Sequence, residues 1–129
     1  MPQNHIVLDW MIPAPAQGVI GIGCRQEETH ITEALRKINH RPTEIRSLVE
    51  RQFLRTVEGG CSAPVGALCT IDGDKLELKA GVFELDGSNK VVTEKTYSLA
   101  NFESAGKDAA DEVLANGGKS IMQKISDAG

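Results

Sequence analysis

The position in this chain best suited to covalent chemistry is a cysteine directly after two glycines, in Glu58-Gly59-Gly60-Cys61. Glycine tolerates positive φ and lets backbone approach a bulky ligand, so a thiol placed after the pair can project from a loop and serve as a nucleophile or a point of attachment. The same residues also read as a helix stop followed by a small buried cysteine, and spacing does not choose between the two. Cys24 and Cys69 fall inside or at the end of apolar strand patterns and are expected to be unmodified small hydrophobes. Three cysteines with no CxxC pair and no histidine at ligand spacing argue against a disulfide framework and a zinc site. His5, His30 and His40 are scattered, with no acid or thiol at triad spacing, and are expected to be solvated. The carboxylates Glu27-Glu28 and Glu77/Glu84 read as solvent faces rather than tuned general acids.

The second chemical feature is a segregation of cations. Arg25, Arg36, Arg41, Arg46, Arg51 and Arg55 are all the arginines of the chain, and every basic residue after them is a lysine. Guanidinium groups pair with carboxylates or phosphates in bidentate fashion, so this stretch suits recognition of small anions, although a charged helix surface would look similar. The formal net charge of −4 and the low aromatic content of 4% disfavour nucleic acid and anionic membrane as partners. No basic leader precedes an apolar run and no apolar stretch is long enough to span a bilayer, which makes a cytoplasmic protein the simplest reading.

These residues must be positioned by elements that the hydrophobic periodicity outlines. Ile6-Val7-Leu8 reads as a short strand, Pro13 and Pro15 punctuate an extended segment, and Val19-Ile20-Gly21-Ile22 reads as a buried strand after a polar hinge at Gln17-Gly18. Ile31, Ala34, Leu35 and Ile38 mark a short amphipathic helix between Glu28 and Asn39. A longer helix runs from about Pro42 to Glu58, with Ile45, Leu48, Val49, Phe53 and Val57 on one face. The period then becomes that of strands: Val65 to Ile71, a turn at Asp72-Gly73-Asp74, Leu76 to Val82, a turn at Asp86-Gly87-Ser88, and Lys90 to Tyr97. A helix through Ala105, Ala109, Val113 and Leu114 stops at Asn116-Gly117-Gly118, and a last helix covers Ser120 to Ile125. The fold class is therefore α+β, a three-stranded antiparallel sheet covered on one face by helices.

Two runs carry a family resemblance. Pro13-Ala14-Pro15-Ala16-Gln17-Gly18-Val19-Ile20-Gly21-Ile22 is similar to the segment of the porphobilinogen deaminase family that crosses back from its second domain to its first. Glu50-Arg51-Gln52-Phe53-Leu54-Arg55-Thr56-Val57-Glu58-Gly59-Gly60-Cys61-Ser62-Ala63-Pro64-Val65-Gly66 resembles that family's cofactor-attachment signature. The likeness covers nearly the whole chain from Pro13 onward. It departs at Ala16, where the family usually has glycine, and at Gly23, where it usually has an acid.

The resemblance implies an enzyme that joins four porphobilinogen units into hydroxymethylbilane with release of ammonia, on a dipyrromethane cofactor attached through Cys61. It implies substrate-side roles for Arg51, Arg25 and Gln17, Arg51 ahead of the other two, with porphobilinogen and the growing oligopyrrole as partners and no metal. It divides the chain into residues 1–39, a remnant of the second and first domains, which resemble periplasmic binding proteins, and residues 40–129, the third domain. The catalytic aspartate of the family lies in the preceding domains, so this chain alone is expected to be inactive and without cofactor, its N-terminal stretch poorly packed and its missing domains the natural partner. The competing reading is a stand-alone α+β interaction module.

Overall fold

The computed structural model describes residues 3–57 and 64–128. Cys61 and the Gly59-Gly60 pair thus lie outside the described residues. Among the described residues, four α-helices and three strands follow in order: α1 (Thr29–Ile38), α2 (Arg41–Thr56), β1 (Val65–Asp72), β2 (Lys75–Phe83), β3 (Lys90–Ser98), α3 (Phe102–Val113) and α4 (Lys119–Ala128). Pro42 occupies the first turn of α2, where its missing N–H would have no helical acceptor anyway. Between α3 and α4 the chain kinks at Asn116 and Gly117, the glycine taking φ 114, a conformation that disfavours any side chain.

The strands form one antiparallel sheet in the order β1-β2-β3. Register sets the faces: Ala67, Ala80 and Thr93 lie abreast and are all buried, whereas Leu68, Lys79 and Glu94 lie abreast on the opposite, open face. Helices cover the first face. Val49 and Phe53 of α2, Ala105, Ala109 and Val113 of α3, and Ile121 of α4 pack with Leu76, Leu78 and Val82 into a single core. Burying each of the larger side chains contributes about 1.5–3 kcal/mol, so this one layer pair holds the domain together.

The N-terminal strands expected from the sequence do not form. Residues 6–8 and 19–22 have no strand structure and are exposed, Ile20 to 90%. Apolar β-branched residues favour a strand only where a neighbour supplies hydrogen bonds and cover, and no described strand pairs with these segments. Cys24, expected within an apolar strand, is exposed, and its thiol lies 3.5 Å from the Thr32 hydroxyl. No described residue between 3 and 39 is buried, and α1 contributes nothing to the core.

One part of this stretch is nevertheless fixed to the domain. Residues 10–12 run beside the open face of the sheet, sharing a cleft with Phe83 and Val92. Ile12 crosses the sheet at Gly66, where an added Cβ would lie 2.9 Å from its Cγ2. Gly66 is the register partner of Gly81, so two strands present no side chain at the crossing. The chain then rounds the β1 edge, where Ala67 N–H donates to the Pro13 carbonyl at 2.9 Å.

Candidate functional site

The site expected from the sequence centres on Cys61, outside the described residues, but its two stems are defined. α2 leads into it and β1 leads out of it. Arg51 and Arg55 are one turn apart in the last two turns of α2, hence on one helix face, and both are exposed. Among the described residues neither makes a hydrogen bond or ion pair. Other arginines of α2 are engaged: Arg41 pairs with Glu44 at 2.9 Å and lies over the Phe102 ring, and Arg46 donates to the Thr43 hydroxyl at 3.0 Å. Arg51 and Arg55 are thus the uncommitted cations of that helix, at the end where the helix dipole also favours positive charge.

Gln17 is exposed, in a tight turn in which its N–H donates to the Ala14 carbonyl at 3.1 Å and Gly18 has φ 79. The structure brings this turn to α2. Ala16 N–H donates to Glu50 Oε1 at 3.1 Å, so the residues immediately before Gln17 and Arg51 are in contact. Arg25 is exposed in the turn leading to α1, its carbonyl accepting the Glu28 N–H, and no hydrogen bond or ion pair joins it to Arg51 or Gln17.

Glu50 itself was not singled out by sequence reasoning. It is 6% exposed, and its other oxygen accepts a long hydrogen bond of 3.4 Å from the Cys69 N–H on the edge of β1. Burial raises its pKa above the ordinary glutamate value, with the Ala16 and Cys69 N–H groups and the Arg46 charge acting in the opposite direction. The Cys69 thiol is pushed up to about 12, chiefly by burial and also by the Glu50 charge, which makes it an inert core group as expected. The available signal was positional: Glu50 follows the core residue Val49 and lies one turn after Arg46, at the rim of the apolar stripe.

Among the described residues, no group of His, Cys, Asp and Glu could hold a metal, and no helix is long and apolar enough to cross a membrane. What the described residues offer is a pair of exposed guanidinium groups, Arg51 and Arg55, on the last two turns of α2.

Comparison with known proteins identifies the family of these elements. The model of the porphobilinogen deaminase C-terminal domain matches residues 44–115, from the first turn of α2 to just beyond α3. Porphobilinogen deaminase of Synechococcus sp. (strain CC9311) is 38% identical over 112 residues, which are 87% of this chain and 35% of the relative. The chain therefore spans about a third of the length of the curated relative it matches. An α+β layer pair, with a glycine-flanked cysteine between its long helix and first strand and a family match across the same elements, places the chain in the porphobilinogen deaminase family, of which it carries the C-terminal domain.

Proposed function

We propose that this chain is the cofactor-attachment part of a porphobilinogen deaminase, residues 40–129 forming its third domain and residues 1–39 belonging to the hinge and the preceding domains. The observation that carries the reading is the family match over α2, β1, β2, β3 and α3, a span of sequence that includes Cys61. In the complete enzyme, four porphobilinogen molecules become hydroxymethylbilane and ammonia is released.

Cys61 would hold dipyrromethane through a thioether: ammonia leaves the aminomethyl carbon of a pyrrole as its C–N bond breaks, the Cys61 sulfur bonds to that carbon, and the thiol proton departs with the ammonia. When bound, dipyrromethane supplies the pyrrole end on which the chain is extended. The residues present suit such a group, because pyrroles of this class carry acetate and propionate, and Arg51 and Arg55 leave exposed guanidinium groups beside the α2 stem. Arg51 binds substrate carboxylate in this reading, Arg25 does so from the returning segment once the preceding domains are in place, and Gln17 lies at the hinge near the growing chain.

The chain alone is inactive in this reading. Protonating a leaving amine needs a positioned acid, worth about 10² to 10⁴ in rate, and the family's aspartate lies in the preceding domains. The test joins this chain to the first two domains of the Synechococcus relative and measures intact mass and tetrapyrrole formation. A dipyrromethane adduct and turnover are expected with Cys61 and neither with Cys61→Ser. An adduct that persists in Cys61→Ser, or turnover by the 129-residue chain alone, would overturn the assignment.

A further inference from the structure

We propose that residues 12–16 form a detachable strap, fastened by Glu50 across α2 and β1, the two stems of the segment that carries Cys61. This device does not depend on any chemistry at that cysteine. The strap is held at three points. Ile12 lies over Gly66, the Pro13 carbonyl accepts the Ala67 N–H, and the Ala16 N–H reaches Glu50. The Glu50 carboxylate is the bridge, since its Oε1 accepts from the strap and its Oε2 accepts from Cys69 on β1.

The flanks explain why the strap can leave. Residues 3–11 and 17–24 are all exposed, so none of the domain's core depends on them. Gly18, just past the last point of attachment, has φ 79 and nothing within 4 Å of an added Cβ, which gives the chain a place to swing. The β1 edge explains why the strap stays. Ala67 and Cys69 N–H groups point outward along an edge strand, and a strap that accepts one while Glu50 accepts the other blunts an edge that could otherwise pair with another chain.

A carboxyl group can do this and its amide cannot. Two backbone donors face its two oxygens, whereas glutamine offers one oxygen and turns an NH₂ donor against the second N–H. Residue-resolved amide hydrogen exchange on the 129-residue chain tests the proposal. In the unmodified chain the Ala16 amide should exchange at least about tenfold more slowly than that of Gly21, which lies beyond the strap. In Glu50→Gln the amides of Ala16 and Cys69 should speed up together with that of Ala67, while the core amides of Leu78 and Ala80 hold. Ala67 is decisive, because its acceptor is Pro13 and not Glu50, and a merely structural role would move the core amides as well. Gly66→Ala loosens the strap from its other end and should release Ala16, which keeps the test open if Glu50→Gln does not fold. Ala67 unchanged in Glu50→Gln, Ala16 unchanged in Gly66→Ala, or Ala16 as fast as Gly21 in the unmodified chain would each overturn the strap.

Discussion

Gly106 of α3 meets Val49 of α2 backbone to backbone: a methyl group on the glycine would collide with the Val49 carbonyl oxygen and lie 2.9 Å from the Gln52 Cβ. Gln52 fastens the same crossing, donating to the Glu103 carbonyl at 2.7 Å and accepting the Lys107 N–H at 3.1 Å. Helix propensity alone would make Gly106→Ala stabilising by about 1 kcal/mol. Overpacking at a backbone contact reverses that sign, and we expect a net loss of about 1–3 kcal/mol, seen as a lower urea midpoint at unchanged slope. A raised midpoint would show that the helices separate at little cost.

Ala16 has φ 60, the left-handed conformation that costs a side chain roughly 1–2 kcal/mol. Ala16→Gly should relieve that strain, less the entropy that glycine gains in the free strap. A net gain of about 1 kcal/mol corresponds to roughly fivefold slower exchange of the Ala67 amide. Equal or faster exchange would contradict the strained geometry.

Because burial raises the Glu50 pKa, the folded state keeps that proton to higher pH than the unfolded chain does. Its contribution to stability is then fully present below the ordinary glutamate pKa of about 4.3 and is lost as pH rises through the folded value. Arg46 and Cys69 face the carboxyl, and the neutral Cys69 thiol does not titrate in this range. The stability of the unmodified chain minus that of Glu50→Gln should therefore fall with rising pH and level off above the folded Glu50 pKa. Urea unfolding of both proteins between pH 4 and 8, as a round range spanning the ordinary carboxyl value, gives this difference. The opposite slope would mean that the N–H groups and Arg46 outweigh burial.

Across the sheet, Lys95 bonds Asp108 at 2.8 Å and Glu112 at 3.1 Å, and the Tyr97 hydroxyl donates to Asp108 at 2.7 Å. Burial first, and then the Asp108 hydrogen bond, raise the Tyr97 pKa. Tyr97 is the chain's one tyrosine, so its ionisation can be followed by ultraviolet absorption. Asp108→Ala should lower that pKa yet leave it above about 10, since burial remains. Stability should change by less than about 1 kcal/mol, as for an exposed pair.

For the proposed substrate role, Arg51→Ala in the protein joined to its preceding domains should lower kcat/KM by about 10- to 100-fold, the range for a lost hydrogen bond to a charged group. Arg41→Ala serves as the control, because Glu44 and Phe102 already occupy that guanidinium. Equal losses in the two variants would remove Arg51 from the site.

The sequence by itself determined the elements of the C-terminal domain. The apolar stripe of α2, the alternation of β2 and the Asn116-Gly117-Gly118 break are local patterns; α2, β1, β2 and β3 lie within about two residues of their expected bounds, whereas α4 runs on to Ala128, past the expected end at Ile125. Cys69 was legible as a core residue for the same reason. The tertiary structure alone decided the rest. Val19 to Ile22 has the composition of a strand but no strand to pair with, since pairing is a property of the neighbour and not of the segment. Cys24 followed the fate of that segment and is exposed. Glu50 reads as one more charged helix residue until α2 packs against β1 and the chain 34 residues earlier returns to it, and only that meeting turns a surface carboxylate into a buried clamp.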